Sequence, residues 1–156
     1  MKQLGLRGNV LKFVEDFLQD RSIQVRVGAA MSSTYFLNNG TPQVSVLSPL
    51  LFIIMINDLP QSSNGVKHAL FADDSSMWKF GPNLPALSRD VQRYLTETAT
   101  FFEEWCFKIS INKTVAILFS GSKHIPTDVI LKINDVAIKF EKTVKFLGVI
   151  FDQGLT

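Results

Sequence analysis

Two adjacent carboxylates, Asp73 and Asp74, interrupt a run of strand-type apolar residues in HALFADDSSMW, residues 68–78. Folding alone gives little reason for this, because a desolvated carboxylate is costly unless it is paired or bound to a cation. Successive side chains of a strand point to opposite faces, so the two acids converge only where the strand turns at them. The SSM that follows permits such a turn. Two hard oxygen donors at a hairpin tip suit magnesium, which takes one or two carboxylates and leaves its other positions to water and substrate phosphates. An ordinary polar turn is the plain alternative for an isolated Asp-Asp.

Few other residue types offer chemistry. His68 and His124 are too far apart in sequence for a local metal motif, and each reads as structural or solvated. The serines have no nucleophile context. The single cysteine, Cys106, rules out a disulfide framework or a cysteine zinc cluster, favours an intracellular setting, and reads as a small buried hydrophobe beside Trp105. Lys139, Lys142 and Lys145 interleave with Phe140 and Phe146, a pattern that fits contact with a nucleic-acid backbone or a solvated strand edge. With a net charge of only +2, any nucleic-acid contact has to come from such local patches.

The elements that must carry these residues follow from patterning. A hydrophobic share of 46% with 13 phenylalanines gives 156 residues enough apolar surface for one folded unit, or part of one. The most apolar stretch, Val44 to Ile56, is broken by Ser48 and Pro49 and falls short of the roughly 20 residues of a membrane span, so it reads as a core helix and no membrane association is expected. Neither a signal peptide nor a repeat is evident. The chain opens almost directly on LRGNVLKFVEDFL, as though a segment upstream were missing.

In NVLKFVEDFLQDR, apolar residues at helical spacing predict a helix capped by Asn9. SIQVRVG alternates as a strand, GAAMSS reads as a turn, and TYFLNNG as a hairpin partner or an extended lead to the next motif. Pro49 is acceptable in the first turn of the apolar helix. HALFADDSSMWKF predicts two short strands joined at the acidic pair. From Leu84 to Phe107 an apolar stripe through Leu87, Val91, Leu95, Phe102 and Trp105 predicts the longest helix. KISINKTVAILFSG reads as a turn and strand, VILKINDVAIKF as a hairpin with Asn134 and Asp135 near its tip, and TVKFLGVIFD as a final strand. Helices segregated around mainly antiparallel strands indicate an α+β fold.

The ordered motifs NGTPQVSVLSPLLF, INDLP, FADD, and WCFKISINKT together resemble the reverse transcriptases of non-LTR retrotransposons of the jockey-like kind. That family typically shows GTPQGSVLSPLLF before INDLP, FADD or YADD at the hairpin, and a helix leading to Trp and an LxxNxxKT segment. The likeness runs from FLQDR to FLGVIFD, most of the chain. It implies that residues 1–156 form a partial polymerase palm domain, the later palm and the start of a thumb-side hairpin, built as an antiparallel sheet with helices packed on one side.

The resemblance also implies roles. Asp73 and Asp74 would be catalytic and would help hold Mg2+, with Mn2+ as a substitute; Lys113 would act on the phosphate side of the reaction or stand solvated in its turn. Pro42, Gln43, Val44 and Ser45 would face the incoming nucleotide and template, and Phe71 would lie beneath the nucleotide sugar or pack in the palm. Phe146, Leu147 and Gly148 would form the hairpin that supports the primer end, unless KFLGV is simply core strand. The implied partners are an RNA template, a DNA primer, dNTPs and the remainder of the polymerase chain, and the implied location is nuclear.

Two departures stand against activity. Val44 replaces the glycine of the family's PQG, and a β-branched residue allows neither the unusual backbone angles nor the close approach of glycine. The family also uses a third aspartate, on a strand preceding the FLQDR helix, and no equivalent stands before Asp73; Glu15, Asp16 and Asp20 fall in the helical segment after that point. The chain alone is therefore expected to be inactive. A non-catalytic retroelement remnant with weak nucleic-acid binding is the alternative reading, and a purely structural acidic hairpin in an unrelated α+β domain is a third.

Overall fold

Apolar residues at helical spacing build α1, Asn9–Leu18, which buries Val14 and stacks Phe13 on Phe17 at 6.4 Å between ring centroids. The structure is a computed structural model that describes residues 7–42, 45–61, 64–120 and 129–154. The chain enters α1 through Gly8, whose φ of 65° is open to glycine, so Asn9 is the first helical residue and not the expected cap. Contact density divides the chain into two units, residues 1–59 and 60–156.

The first unit continues with β1, Arg21–Ile23, then β2, Arg26–Val27, β3, Ala30–Met31, and β4, Tyr35–Leu37. β1 pairs antiparallel with β4, Arg21 opposite Leu37, which makes TYFLNNG a hairpin partner. GAAMSS is more than a turn: Gly28 and Ala29 reverse the chain, Ala30 and Met31 pair back on β2, and Ser32 bonds to both the N–H and the C=O of Val25 at 2.9 Å. Helix α2, Leu47–Ile56, takes Pro49 in its first turn and is apolar all round. Leu51 and Met55 are buried, whereas Leu50 and Ile53 are exposed.

The second unit contains β5, Lys67–Phe71, β6, Asp74–Trp78, and the 21-residue α3, Leu84–Glu104. After a short 3-10 turn, Ile111–Lys113, come β7, Val115–Ala116, β8, Lys132–Ile133, β9, Val136–Ala137, β10, Lys139–Phe140, β11, Thr143–Phe146, and β12, Val149–Asp152. The core sits between α3 and these strands, with Leu95, Ala99, Leu131, Ile133 and Ile138 buried together and Met77 and Val91 packed against them. Asn83 caps α3 through its side chain, which accepts from Ala86 N–H at 3.0 Å. The Gln92 amide bonds both the C=O and the N–H of Lys132, at 2.9 and 2.7 Å, and so ties α3 to β8.

Helix α3 ends where sequence gave no stop signal. Phe107 N–H donates to Phe102 C=O at 2.8 Å and Cys106 N–H to Glu103 C=O at 2.9 Å, the Schellman pattern, with Cys106 at φ 59° in the place usually taken by glycine. The Phe102 and Phe107 rings meet at 6.4 Å across this cap. Cys106 is consequently exposed, which corrects its reading as a buried hydrophobe: its role is in the backbone of a turn.

Two further expectations change. TVKFLGVIFD is not the single strand its patterning suggests but a hairpin, the form that the resemblance implied at Phe146 to Gly148: β11 pairs antiparallel with β12 through a Leu147-Gly148 turn in which both residues have positive φ, 48° and 85°. The strands do not merge into one antiparallel sheet: among the described residues they form six two-stranded ladders, and β7 with β10 is parallel. The strands are two to five residues long, so tight turns consume much of the pairing surface a larger sheet would need. The observed class is α+β, helices accompanied by small, mostly antiparallel ladders. No helix among the described residues is long and apolar enough to cross a membrane.

Candidate metal-binding hairpin

The acidic pair lies at the tip of β5–β6. The ladder runs from Lys67 opposite Trp78 to Phe71 opposite Asp74, leaving Ala72 and Asp73 as a two-residue loop. Ala72 has φ 51° and Asp73 is not among the positive-φ residues, the sign pattern of a type II′ turn, which ordinarily takes glycine first. Opposed residues share a face. Asp74, Phe71, Ala69, Ser76, Lys67 and Trp78 therefore lie on one face of the hairpin, and Leu70, Ser75, His68 and Met77 on the other.

The second face packs inward away from the tip, with Met77 against the core and His68 against α3, while Leu70 and Ser75 nearer the tip are exposed. Asp74 and Phe71 are exposed on the first face, Phe71 at 62%, and Asp73 is exposed in the loop. Among the described residues neither carboxylate has a side-chain hydrogen bond or ion pair, and no cluster of three or more His, Cys, Asp or Glu side chains forms a closed metal cage. Two unpaired hard oxygen donors on one exposed tip fit a partial magnesium site, of the kind that leaves most positions to water and phosphate oxygens.

His68 anchors this hairpin, the structural one of the two roles its sequence context allowed. Its Nδ1 lies 2.9 Å from Tyr94 Oη, and its Nε2 lies 2.7 Å from Ser75 Oγ. The Tyr94 hydroxyl in turn donates to Pro60 C=O at 2.9 Å. Tyr94 is only 3% exposed, and burial pushes its hydroxyl above the ordinary phenol range. Burial also holds the His68 pKa below its ordinary value, so the ring stays neutral at neutral pH. Further along β6's exit, Lys79 Nζ donates to Asp90 Oδ2 and to Asn64 C=O, both at 2.5 Å, and this bond leads the causes that lower the Asp90 pKa.

The other expected site residues are placed as follows. Pro42 C=O accepts from Ser48 Oγ at 2.5 Å, and Ser45 Oγ accepts from Leu47 N–H at 3.3 Å, so both belong to the hydrogen-bonded entry to α2 in the first unit. Gln43, Val44 and His124 lie outside the described residues. Lys113 is exposed at the end of the 3-10 turn and makes no side-chain bond among the described residues. Phe146 is half-buried at the end of β11, and Leu147 and Gly148 form the turn beyond it. Lys139 pairs with Glu141, while Lys142 and Lys145 are exposed.

A family profile described as reverse transcriptase (RNA-dependent DNA polymerase) matches residues 4–151. The chain is similar to the probable RNA-directed DNA polymerase from transposon BS of Drosophila melanogaster, 28% identical over 150 residues that cover 92% of this chain and 17% of that protein. It is similar as well to the RNA-directed DNA polymerase from mobile element jockey of the same species, 28% identical over 150 residues, covering 92% and 16%. A third relative, the probable RNA-directed DNA polymerase from transposon X-element, is 26% identical over 147 residues, 92% of this chain and 16% of that protein. The chain thus spans 16–17% of the length of these curated relatives. No solved structure matches it.

Proposed function

Because this chain belongs to the reverse transcriptase (RNA-dependent DNA polymerase) family, in the company of non-LTR retrotransposon enzymes, we propose that it is the acidic-hairpin part of a polymerase copying RNA into DNA during retrotransposition. The family uses divalent metal ions, a nucleic-acid template and primer, and dNTPs. The observation that carries the proposal is the two-residue turn that sets Asp73 and Asp74, unpaired among the described residues, on one exposed tip.

In this reading Asp73 and Asp74 hold Mg2+ or Mn2+. Held by these carboxylates, such an ion would neutralise charge at the triphosphate and lower the pKa of the primer 3′-hydroxyl. Phe71, exposed on the same face as Asp74, supports the nucleotide sugar. Pro42, Gln43, Val44 and Ser45 line the nucleotide and template side, Lys113 meets phosphate, and the Phe146-Leu147-Gly148 turn steadies the primer end. Residues 1–156 alone contain two of the three acidic ligands that the family resemblance requires, and Val44 stands in the PQG glycine position. The 156-residue piece on its own is therefore proposed to be inactive in nucleotidyl transfer.

Mn2+ titration of the chain, followed by paramagnetic broadening of amide resonances, tests the site. Broadening is expected to centre on Ala72 to Ser75 and to vanish in the Asp73→Asn, Asp74→Asn double variant. Unchanged broadening in that variant would overturn the assignment. Val44 favours a second reading, a retroelement remnant that no longer polymerises. Primer extension by the longer polymerase chain with Val44 and with Val44→Gly separates the two: activity that needs the glycine supports the remnant, and activity with valine supports a working enzyme.

A further inference from the structure

The hydrogen bonds around His68 fix its tautomer. Tyr94 has one hydroxyl hydrogen and gives it to Pro60 C=O, so its oxygen can only accept from the imidazole, and Nδ1 carries the ring proton. Nε2 is then an acceptor, which makes Ser75 Oγ, 2.7 Å away, the donor of that bond. The chain of bonds runs Ser75 to His68 to Tyr94 to Pro60, each link donating to the next, and every polar atom in it is satisfied. It joins β6 to β5, β5 to α3, and α3 to the segment before β5.

Ser75 is the residue next to Asp74 and lies on the opposite face of the hairpin. A strand that slips by one residue exchanges its two faces. Such a slip in β6 would move Asp74 to the face that carries His68 and Ser75 to the opposite one, away from His68. The His68–Ser75 bond spans the two strands diagonally and is lost on any slip, while Tyr94, 3% exposed in the long helix, gives the imidazole a fixed anchor. The two-residue loop sets the register at the tip, with Ala72 at φ 51° where glycine is favoured, and the His68 bonds hold the same register further down the strands.

We propose that His68, Tyr94 and Ser75 are positioning residues that lock the register of the acidic hairpin and so aim Asp74 at the metal. The inference rests on Asp73 and Asp74 being the metal ligands. It resembles second-layer control of metal sites, in which residues bonded behind the ligands set affinity without touching the ion.

Two measurements on the chain test it. Long-range 1H–15N NMR of His68 is expected to show the Nδ1–H tautomer at neutral pH, and the Nε2–H tautomer would overturn the proposal. Ser75 is exposed, so Ser75→Ala is expected to leave the melting temperature and the amide spectrum outside the hairpin unchanged. Its Mn2+ affinity should drop about 10-fold, the lower end of second-layer effects, and Ser75→Thr should restore it. His68→Asn keeps a donor toward Tyr94 but loses the reach to Ser75, and should weaken Mn2+ binding like Ser75→Ala. If Ser75→Ala and His68→Asn bind Mn2+ as wild type while Asp74→Asn does not, the positioning role is refuted and the metal assignment survives. If Asp74→Asn also binds as wild type, both fail.

Discussion

Replacing Ala72 by glycine acts on one torsion angle and almost nothing else. Ala72 is exposed at the first position of a two-residue hairpin loop with φ 51°, so the substitution removes a solvated methyl and loses little packing. An L-residue with a Cβ pays roughly 1–2 kcal/mol at positive φ. Glycine avoids this penalty but gives the unfolded chain more freedom, worth about 0.5–1 kcal/mol in the opposite sense. The balance favours glycine by about 0.5–1 kcal/mol, which for a chain of this length raises the melting temperature by about 1–4 °C. Calorimetry and urea unfolding at constant m-value measure it. The same change frees the tip beside Asp73, so Mn2+ affinity is expected to decrease as stability rises. A destabilised Ala72→Gly, or one that binds Mn2+ more tightly, would refute the view that strain is stored at this turn to hold the carboxylates.

Thr98 is 1% exposed and among the described residues its hydroxyl meets only the Tyr94 hydroxyl, too loosely for a well-formed hydrogen bond, so Thr98→Val should stabilise the chain by about 1 kcal/mol in urea unfolding; a loss of stability would show that the Tyr94 contact outweighs the cost of burying the hydroxyl. Cys106 occupies the glycine-type position of the Schellman cap at φ 59°, and Cys106→Gly should add about 0.5–1 kcal/mol, measured the same way. The folded state holds the His68 pKa below 6.5, so below that pH the unfolded chain binds more protons and stability falls until the folded pKa is passed. Urea midpoints at about pH 7.5 and about pH 5.5 should differ in wild type and converge in His68→Gln, in a window well above the range in which Asp90 titrates.

Strong periodicity and explicit turn chemistry were legible. The stripe from Leu87 to Trp105 reads directly as α3, the alternation around Asp73 and Asp74 as β5–β6, and Asn134-Asp135 as a turn, because both residues tolerate the positive φ they adopt, 47° and 63°. What sequence hid were turns made by residues with no turn signature. Leu147 at φ 48° and Cys106 at φ 59° look like strand and helix residues, and their positions are imposed by tertiary context. The acidic tip was readable because its chemistry and its turn are local. The His68 anchor was not, since Tyr94 lies 26 residues after His68 and 34 after Pro60, and no local period relates them. The antiparallel sheet implied by the resemblance is, among the described residues, a set of two-stranded ladders, and alternation could not have shown this because it tells which residues form strands but not which edges meet.

The amide of Gln92 has a consequence for solubility. In the β8–β9 hairpin the Ile138 N–H bonds to Leu131 C=O, which leaves the N–H and C=O of Lys132 directed away from β9, toward the outer side of β8. An open pair of this kind is a template on which another chain can add a strand. Gln92 fills both positions at once, so a single side chain imitates a neighbouring strand at its narrowest point and closes the edge to strand addition. A protein assembled from short, separate ladders has many such borders, and at this one helix α3 acts as the guard.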